Sequence, residues 1–187
     1  MNNDEMNTAS LHGLLIYDGR LPHPIFCMPF DRYLFFDADV CTSNEFVQVL
    51  QTIASECYSS DDWVEVFAAS DRSHLARLSA HENWADSIDK IARNLRGKGD
   101  YAGLVLVAAS QAWIAIQSRP VDIGVFAFND VDNLGVRVPA VADCFFGCND
   151  ISEWLSGGTQ RDVALQESFG TDFLSGIVKN YCKKNVE

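Results

Sequence analysis

The sequence predicts a single α+β domain built on a mostly antiparallel sheet. Three strand-like apolar runs follow one another between residues 103 and 129, a stretch that carries only two charged residues. The turns between these runs are a few residues long, whereas a parallel return needs a crossover of about a dozen residues. The runs are therefore expected to form an antiparallel meander of about 103–129. Three to four further segments carry apolar residues at helical spacing, which predicts helices packed on a sheet of five to seven strands.

Length and composition bound the class of protein. The 187 residues, 48% of them hydrophobic, are enough for one ordinary core, so residues 1–187 are expected to form one domain with a flexible N-terminus at 1–9. The N-terminus carries acids where a secretory signal carries bases. The longest apolar region, 103–116, is shorter than the roughly 20 residues of a membrane-spanning helix. The sequence thus predicts a cytoplasmic protein with no membrane association.

The six cysteines stand apart, without CxxC pairs or a dense framework. Because cytoplasmic proteins keep their thiols reduced, all six are expected to be reduced and mostly buried. Cys144 and Cys148 are spaced by one helical turn, but no second pair of cysteines or histidines lies near them in the sequence. A zinc site is not expected there.

In the first third of the chain, strands are predicted at 11–17, 32–39 and 63–68 from their apolar and aromatic content. A helix is predicted from Ser43, because Thr42 and Glu45 have the spacing of a capping box and an apolar stripe follows them. The segment 71–82 is polar and is expected to be a helix or loop. None of its serines and histidines stands in a nucleophile motif.

The second clear helix is predicted at 84–96, with Asn83 as its N-cap and Gly97 as its end. After the meander, a further strand is predicted at 136–141, followed by a loop that carries Phe145, Phe146 and Trp154. Helices at 161–169 and 171–184, divided at Gly170, complete the predicted domain.

One short motif points to an enzyme. The strand at 32–39 ends in Asp37-Ala38-Asp39, and Thr42 follows. This pattern resembles the first motif of the haloacid-dehalogenase-type phosphatases, a resemblance that implies Asp37 as nucleophile and Asp39 as acid/base. A carboxylate pair at a strand end could also hold a magnesium ion. The family's later motifs belong to a parallel α/β frame, which the predicted meander is not. The other interpretation is a strand end whose carboxylates lie near a helix N-terminus.

The acidic balance of the chain restricts its partners. It has 26 acidic and 14 basic residues, a formal charge of −12. Such a charge argues against nucleic acid or an anionic membrane as the partner and favours a basic protein. The alternative is an acidic surface that only maintains solubility. Between residues 120 and 172, nine acids stand against two bases, so this region carries a net charge of −7.

Acids around aromatic residues in this region predict a face that docks a basic protein. The residues expected to form it are Asp130, Asp132, Asp143, Phe145, Phe146, Asp150, Glu153 and Trp154. The alternative is that the aromatic residues belong to the core and the acids are their solvated flank.

The function predicted is therefore a non-enzymatic binding and inhibitory protein, of the kind of a bacterial immunity protein that neutralises a basic toxin or nuclease. No catalytic residue, metal or cofactor is assigned. Two alternatives remain open, which are a metal-dependent hydrolase or phosphatase using Asp37 and Asp39 and a structural or adaptor subunit.

Overall fold

The computed structural model describes residues 11, 13–58, 63–119, 122–130 and 143–182. Its strands are β1 (Arg32–Phe36), β2 (Trp63–Ala68), β3 (His74–Ser79), β4 (Gly103–Ala108), β5 (Trp113–Ser118) and β6 (Gly124–Phe128). Its helices are α1 (Asn44–Cys57), α2 (Trp84–Gly97), α3 (Cys148–Ser156), α4 (Gln160–Phe169) and α5 (Thr171–Tyr181).

The six strands form one sheet in the order β1-β6-β5-β4-β2-β3, and every pair of neighbours is antiparallel. The predicted α+β class with an antiparallel sheet is confirmed. The predicted meander corresponds to β4, β5 and β6, which are consecutive in the chain and adjacent in the sheet. The outer strands are β1 and β3, and β1 brings the N-terminal part of the chain against β6.

Both faces of the sheet are covered, so the sheet is the middle layer of three. Val66 and Phe126 face α1 and α2, whereas Phe67 and Val125 face the N-terminal segment and the three C-terminal helices. Because successive side chains of a strand point to opposite faces, a strand covered on both sides is apolar throughout. This is why β4 and β6 read as unbroken apolar runs in the sequence and are buried along their whole length.

The ends of α1 and α2 follow local capping chemistry. The Asn83 side chain accepts a hydrogen bond from the Asp86 amide at 3.3 Å, which confirms the predicted N-cap of α2. For α1 the predicted cap, Thr42, is wrong by one residue. The cap is Ser43, whose hydroxyl accepts from the Phe46 amide at 3.2 Å.

Two predictions in the N-terminal half are wrong. The predicted strand at 11–17 begins instead with a helical turn, in which the Leu15 amide donates to the Leu11 carbonyl at 3.0 Å, and only Leu15 then bridges to Phe26. The segment 71–82, expected to be a helix or loop, contains β3. As an outer strand, β3 buries only Leu78 fully, so its sequence lacks the apolar signal of the inner strands.

In the C-terminal half, the helices on either side of Gly170 are confirmed, and Gly170 has a φ of 88° between them. The prediction of a loop around Trp154 is wrong, because Cys148–Ser156 forms the helix α3. The described part of the chain therefore contains five helices, whereas three to four were expected. The strand predicted at 136–141 lies outside the described residues, as does the predicted flexible segment 1–9.

The prediction of six reduced cysteines is also wrong. Cys148 and Cys182 form a disulfide across a sequence separation of 34 residues. Cys27 is exposed, although a buried thiol was expected there. Because disulfides are rare in reducing compartments, the bond weighs against the predicted cytoplasmic location. None of the helices in the described part of the chain has the length and apolarity required to cross a membrane.

A candidate partner-binding groove

A groove of about 750 Å³ lies beside the outer strand β1. It is situated at the end of the sheet where β1 begins and β6 ends, and the start of α3 and the end of α5 form its opposite side. The described residues that line it are Asp31, Arg32, Tyr33, Leu34, Phe128, Asp130, Phe145, Gly147, Cys148, Asn149, Asp150, Tyr181 and Cys182. Its volume falls in the range of about 300–1,000 Å³ that is usual for ligand pockets.

Two tyrosines form an aromatic part of the groove lining. The rings of Tyr33 and Tyr181 meet edge to face, with their centroids 5.2 Å apart. The Tyr181 hydroxyl donates to the His23 carbonyl at 2.6 Å and accepts from the Ile25 amide at 3.1 Å. Burial raises the pKa of both tyrosine hydroxyls above the usual value. These contacts hold the aromatic part of the lining in one arrangement.

The rim of the groove is acidic. Three carboxylates, those of Asp31, Asp130 and Asp150, stand against one guanidinium, that of Arg32. Arg32 Nε donates to Asp130 Oδ2 at 3.1 Å, and Asp31 Oδ2 accepts from the Asp130 amide at 3.1 Å. Asp150 Oδ2 accepts from the Gly147 amide at 2.6 Å, next to the positive end of α3. The formal charge of these four side chains is −2, which favours a cationic ligand.

The disulfide closes the helical side of the groove. Cys148 is the first residue of α3, and Cys182 follows the last residue of α5. Both line the groove. The bond therefore ties together the two helix ends that face β1, and it restricts how far that side can open.

Three of the eight residues predicted to bind the partner line this groove, namely Asp130, Phe145 and Asp150. Phe146 and Trp154 pack elsewhere. Phe146 contacts Phe35 and Trp154, with ring centroids 6.1 and 4.8 Å away, and Trp154 is only 8% exposed. These two rings belong to the core, as the alternative interpretation expected.

Among the other predicted interface residues, Asp143 and Glu153 are exposed and form no ion pair within the described part of the chain. They are accessible to a partner. Asp132 lies outside the described residues.

The predicted carboxylate pair lies at the opposite end of the sheet. Asp39 Oδ1 accepts from the Cys41 amide at 2.8 Å, and Asp39 Oδ2 accepts from Arg119. Asp37 is exposed. Within the described ranges, no group of three or more histidine, cysteine or acidic side chains could hold a metal ion. The sheet is also antiparallel, unlike the parallel frame that the phosphatase resemblance implies.

A second charged cluster lies on β2 and β3. The buried carboxylate of Glu65 pairs with His74 Nε2 at 2.7 Å and with Arg77 at 2.6 Å. The Arg77 guanidinium also lies 4.4 Å from the centroid of the Trp63 ring. His74 and Arg77 satisfy the buried carboxylate, as its burial requires, so the cluster has a sufficient structural explanation.

Sequence reasoning missed Asp31, Arg32, Tyr33 and Tyr181 as groove residues. Asp31 and Asp130 are 99 positions apart, and only the pairing of β1 with β6 brings them together. No local pattern indicates that pairing. The acidic and aromatic composition of the C-terminal third was the one available signal, and of the groove residues it pointed to Asp130, Phe145 and Asp150.

Comparison of the chain with protein-family models, with curated proteins and with solved structures gave no significant match.

Proposed function

We propose that this protein acts by binding, as an acidic inhibitor that occludes a basic surface of another protein. A bacterial immunity-type protein that neutralises a basic toxin or nuclease is the form of this function that we favour. The observation that carries the proposal is the groove beside β1. Among the described residues, its rim combines Asp31, Asp130 and Asp150 with Arg32, in a protein of net charge −12.

The surroundings of the groove support the same function. Asp143 and Glu153 are exposed and without ion pairs in the described part of the chain, so their charges add to the negative field near α3. Arginines offset Asp39 and Asp89 on other parts of the molecule, as Arg32 offsets Asp130 in the groove. An acidic field of this kind accelerates encounter with a basic partner and rejects acidic ones.

The hydrolase alternative has weaker support. Both oxygens of Asp39 already accept hydrogen bonds, from Arg119 and from the Cys41 amide. An acid/base or a metal ligand at this position would have to give up one of them. The alternative still has a direct test, because Asp37→Asn would remove any phosphatase activity that depends on that carboxylate.

The experiment that tests the proposal begins with capture of tagged protein and its partners from the source cells at low and high salt. We expect a stoichiometric basic protein that is retained at low salt and partly shed at high salt. The affinity of the purified pair is then measured for the wild type and for the charge reversals Asp143→Lys and Glu153→Lys. Each reversal is expected to weaken binding about three- to tenfold.

The matched control is Asp18→Lys, an exposed charge reversal in the N-terminal loop at the other end of the sheet. It should leave the affinity unchanged. If the captured partner keeps its activity when bound and the two proteins belong to a larger assembly, this protein is instead an adaptor subunit. If the protein comes out alone at both salt concentrations, or if all three reversals act alike, the proposed function is wrong.

A further inference from the structure

We infer that the groove receives an extended, lysine- or arginine-rich segment of the partner, which pairs with the free edge of β1 as an added strand. This inference rests on the proposed function, because it names how the acidic groove would hold a basic protein. It adds a main-chain contact at Tyr33, which charge attraction alone does not require.

The free edge follows from the hydrogen bonds of the neighbouring residue. The Phe35 amide donates to the Phe146 carbonyl at 2.8 Å, and the Phe146 amide donates back at 2.9 Å. Phe35 therefore points its main-chain groups outward, away from β6. In an antiparallel strand this orientation recurs at every second residue, so the N–H and C=O of Tyr33 also point outward.

At Tyr33 this outer edge has no hydrogen-bonding partner among the described residues. The main-chain groups of Tyr33 make no hydrogen bond outside the β1–β6 ladder in the described part of the chain. The chain that covers Phe35 turns away into α3 at Cys148, and the space beyond it is the groove. Unpaired strand edges next to a groove are the usual acceptors of an added peptide strand.

The charges decide what kind of segment fits. Asp130 and Arg32 offset each other as an ion pair, so the carboxylates of Asp31 and Asp150 give this part of the groove its negative charge. Alternate side chains of an extended peptide point to the same side. A segment with a basic residue at every second position can therefore present its charges to the acidic rim while its main chain pairs with Tyr33.

The test uses synthetic peptides, which avoids substitutions within β1. The probe is a labelled octapeptide that alternates lysine and valine, with both ends blocked. Two further peptides have the same charge but carry N-methyl groups on the valine amides or on the lysine amides. Because only every second amide of an added strand faces β1, one methylated peptide should lose affinity at least about tenfold while the other binds like the parent.

Two variants locate the binding. Asn149 is exposed and lines the groove, so Asn149→Lys adds a positive charge there and should weaken binding of the parent peptide about threefold. The matched control is Asn94→Lys, an exposed asparagine of α2, which packs on the face of the sheet opposite to α3; this variant should have no effect. In wild-type protein, bound peptide should also slow hydrogen exchange of the Tyr33 amide.

The outcomes separate this inference from the proposed function. Equal binding of both methylated peptides, or equal effects of the two lysine variants, would overturn strand addition in the groove. If a captured basic partner still loses affinity on Glu153→Lys, the proposed function survives that result. Conversely, suppose that the protein discriminates between the methylated peptides but no basic partner is captured from the cell. That result would support strand addition in the groove and overturn the inhibitor function.

Discussion

Removal of the Cys148–Cys182 disulfide should substantially destabilise the protein. The bond closes a loop with a sequence separation of 34 residues. In the chain-entropy model, closing a loop of this length lowers the entropy of the unfolded chain and so raises its free energy by about 4 kcal/mol at 25 °C. For a domain of this size, that corresponds to a fall of about 8–15 °C in the melting temperature. The loop contains the whole of α3, α4 and α5, so the loss should be concentrated on the face of the sheet that these helices cover.

The assay compares thermal unfolding of the wild type, with and without reductant, and of the double variant Cys148→Ser/Cys182→Ser. Reductant should lower the melting temperature of the wild type and leave that of the double variant unchanged. Thiol titration of the unfolded, unreduced wild type should detect four thiols, from Cys27, Cys41, Cys57 and Cys144.

Six titratable thiols in the unreduced protein would refute the disulfide. If the bond is present but the double variant melts at the wild-type temperature, the entropic reasoning is wrong. Reduction should also weaken binding of the lysine–valine peptide, because the helix ends that form one side of the groove are then no longer tied together.

Three further outcomes are expected. Gly124→Ala should lower the free energy of unfolding in urea by about 3 kcal/mol, because the added Cβ would lie 2.2 Å from the buried ring of Phe36. The control Gly97→Ala, whose Cβ would have nothing within 4 Å, should be neutral or slightly stabilising. Equal effects of the two substitutions would contradict the packing argument. Arg72→Ala should lower the free energy of unfolding by about 2 kcal/mol and increase proteolysis near the N-terminus, because the guanidinium donates to three carbonyls of the N-terminal segment. Unchanged cleavage would contradict this anchoring role. Burial, with a smaller contribution from the Asp39 carboxylate, raises the pKa of the Cys41 thiol to about 11. Because the thiolate is the reactive form, the alkylation rate of Cys41 should keep rising with pH up to about that value. A plateau near pH 9 would contradict the raised pKa.

The elements predicted correctly are those with a strong local signal. The Asn83 cap and the apolar stripe that follows it lie within one stretch of chain, and they define α2. The meander could be predicted because its turns are too short for any return except an antiparallel one. The elements that were missed have weak local signals. β3 buries only Leu78 fully. α3 is only nine residues long and buries only Ile151 and Trp154, so each element offers few apolar positions from which to predict it.

The sequence by itself determined the fold class, the central meander, most helices and the acidity of the C-terminal third. These properties depend on composition and on contacts between near neighbours. Only the tertiary structure decided that Asp31 meets Asp130 and that Cys148 bonds to Cys182. It also decided that the outward main-chain groups of Tyr33 have no hydrogen-bonding partner in the described part of the chain. The physical reason is that the position of β1 beside β6 results from the packing of two sheet faces at once. Burial over the whole sheet selects this arrangement, and no short pattern in the chain encodes it.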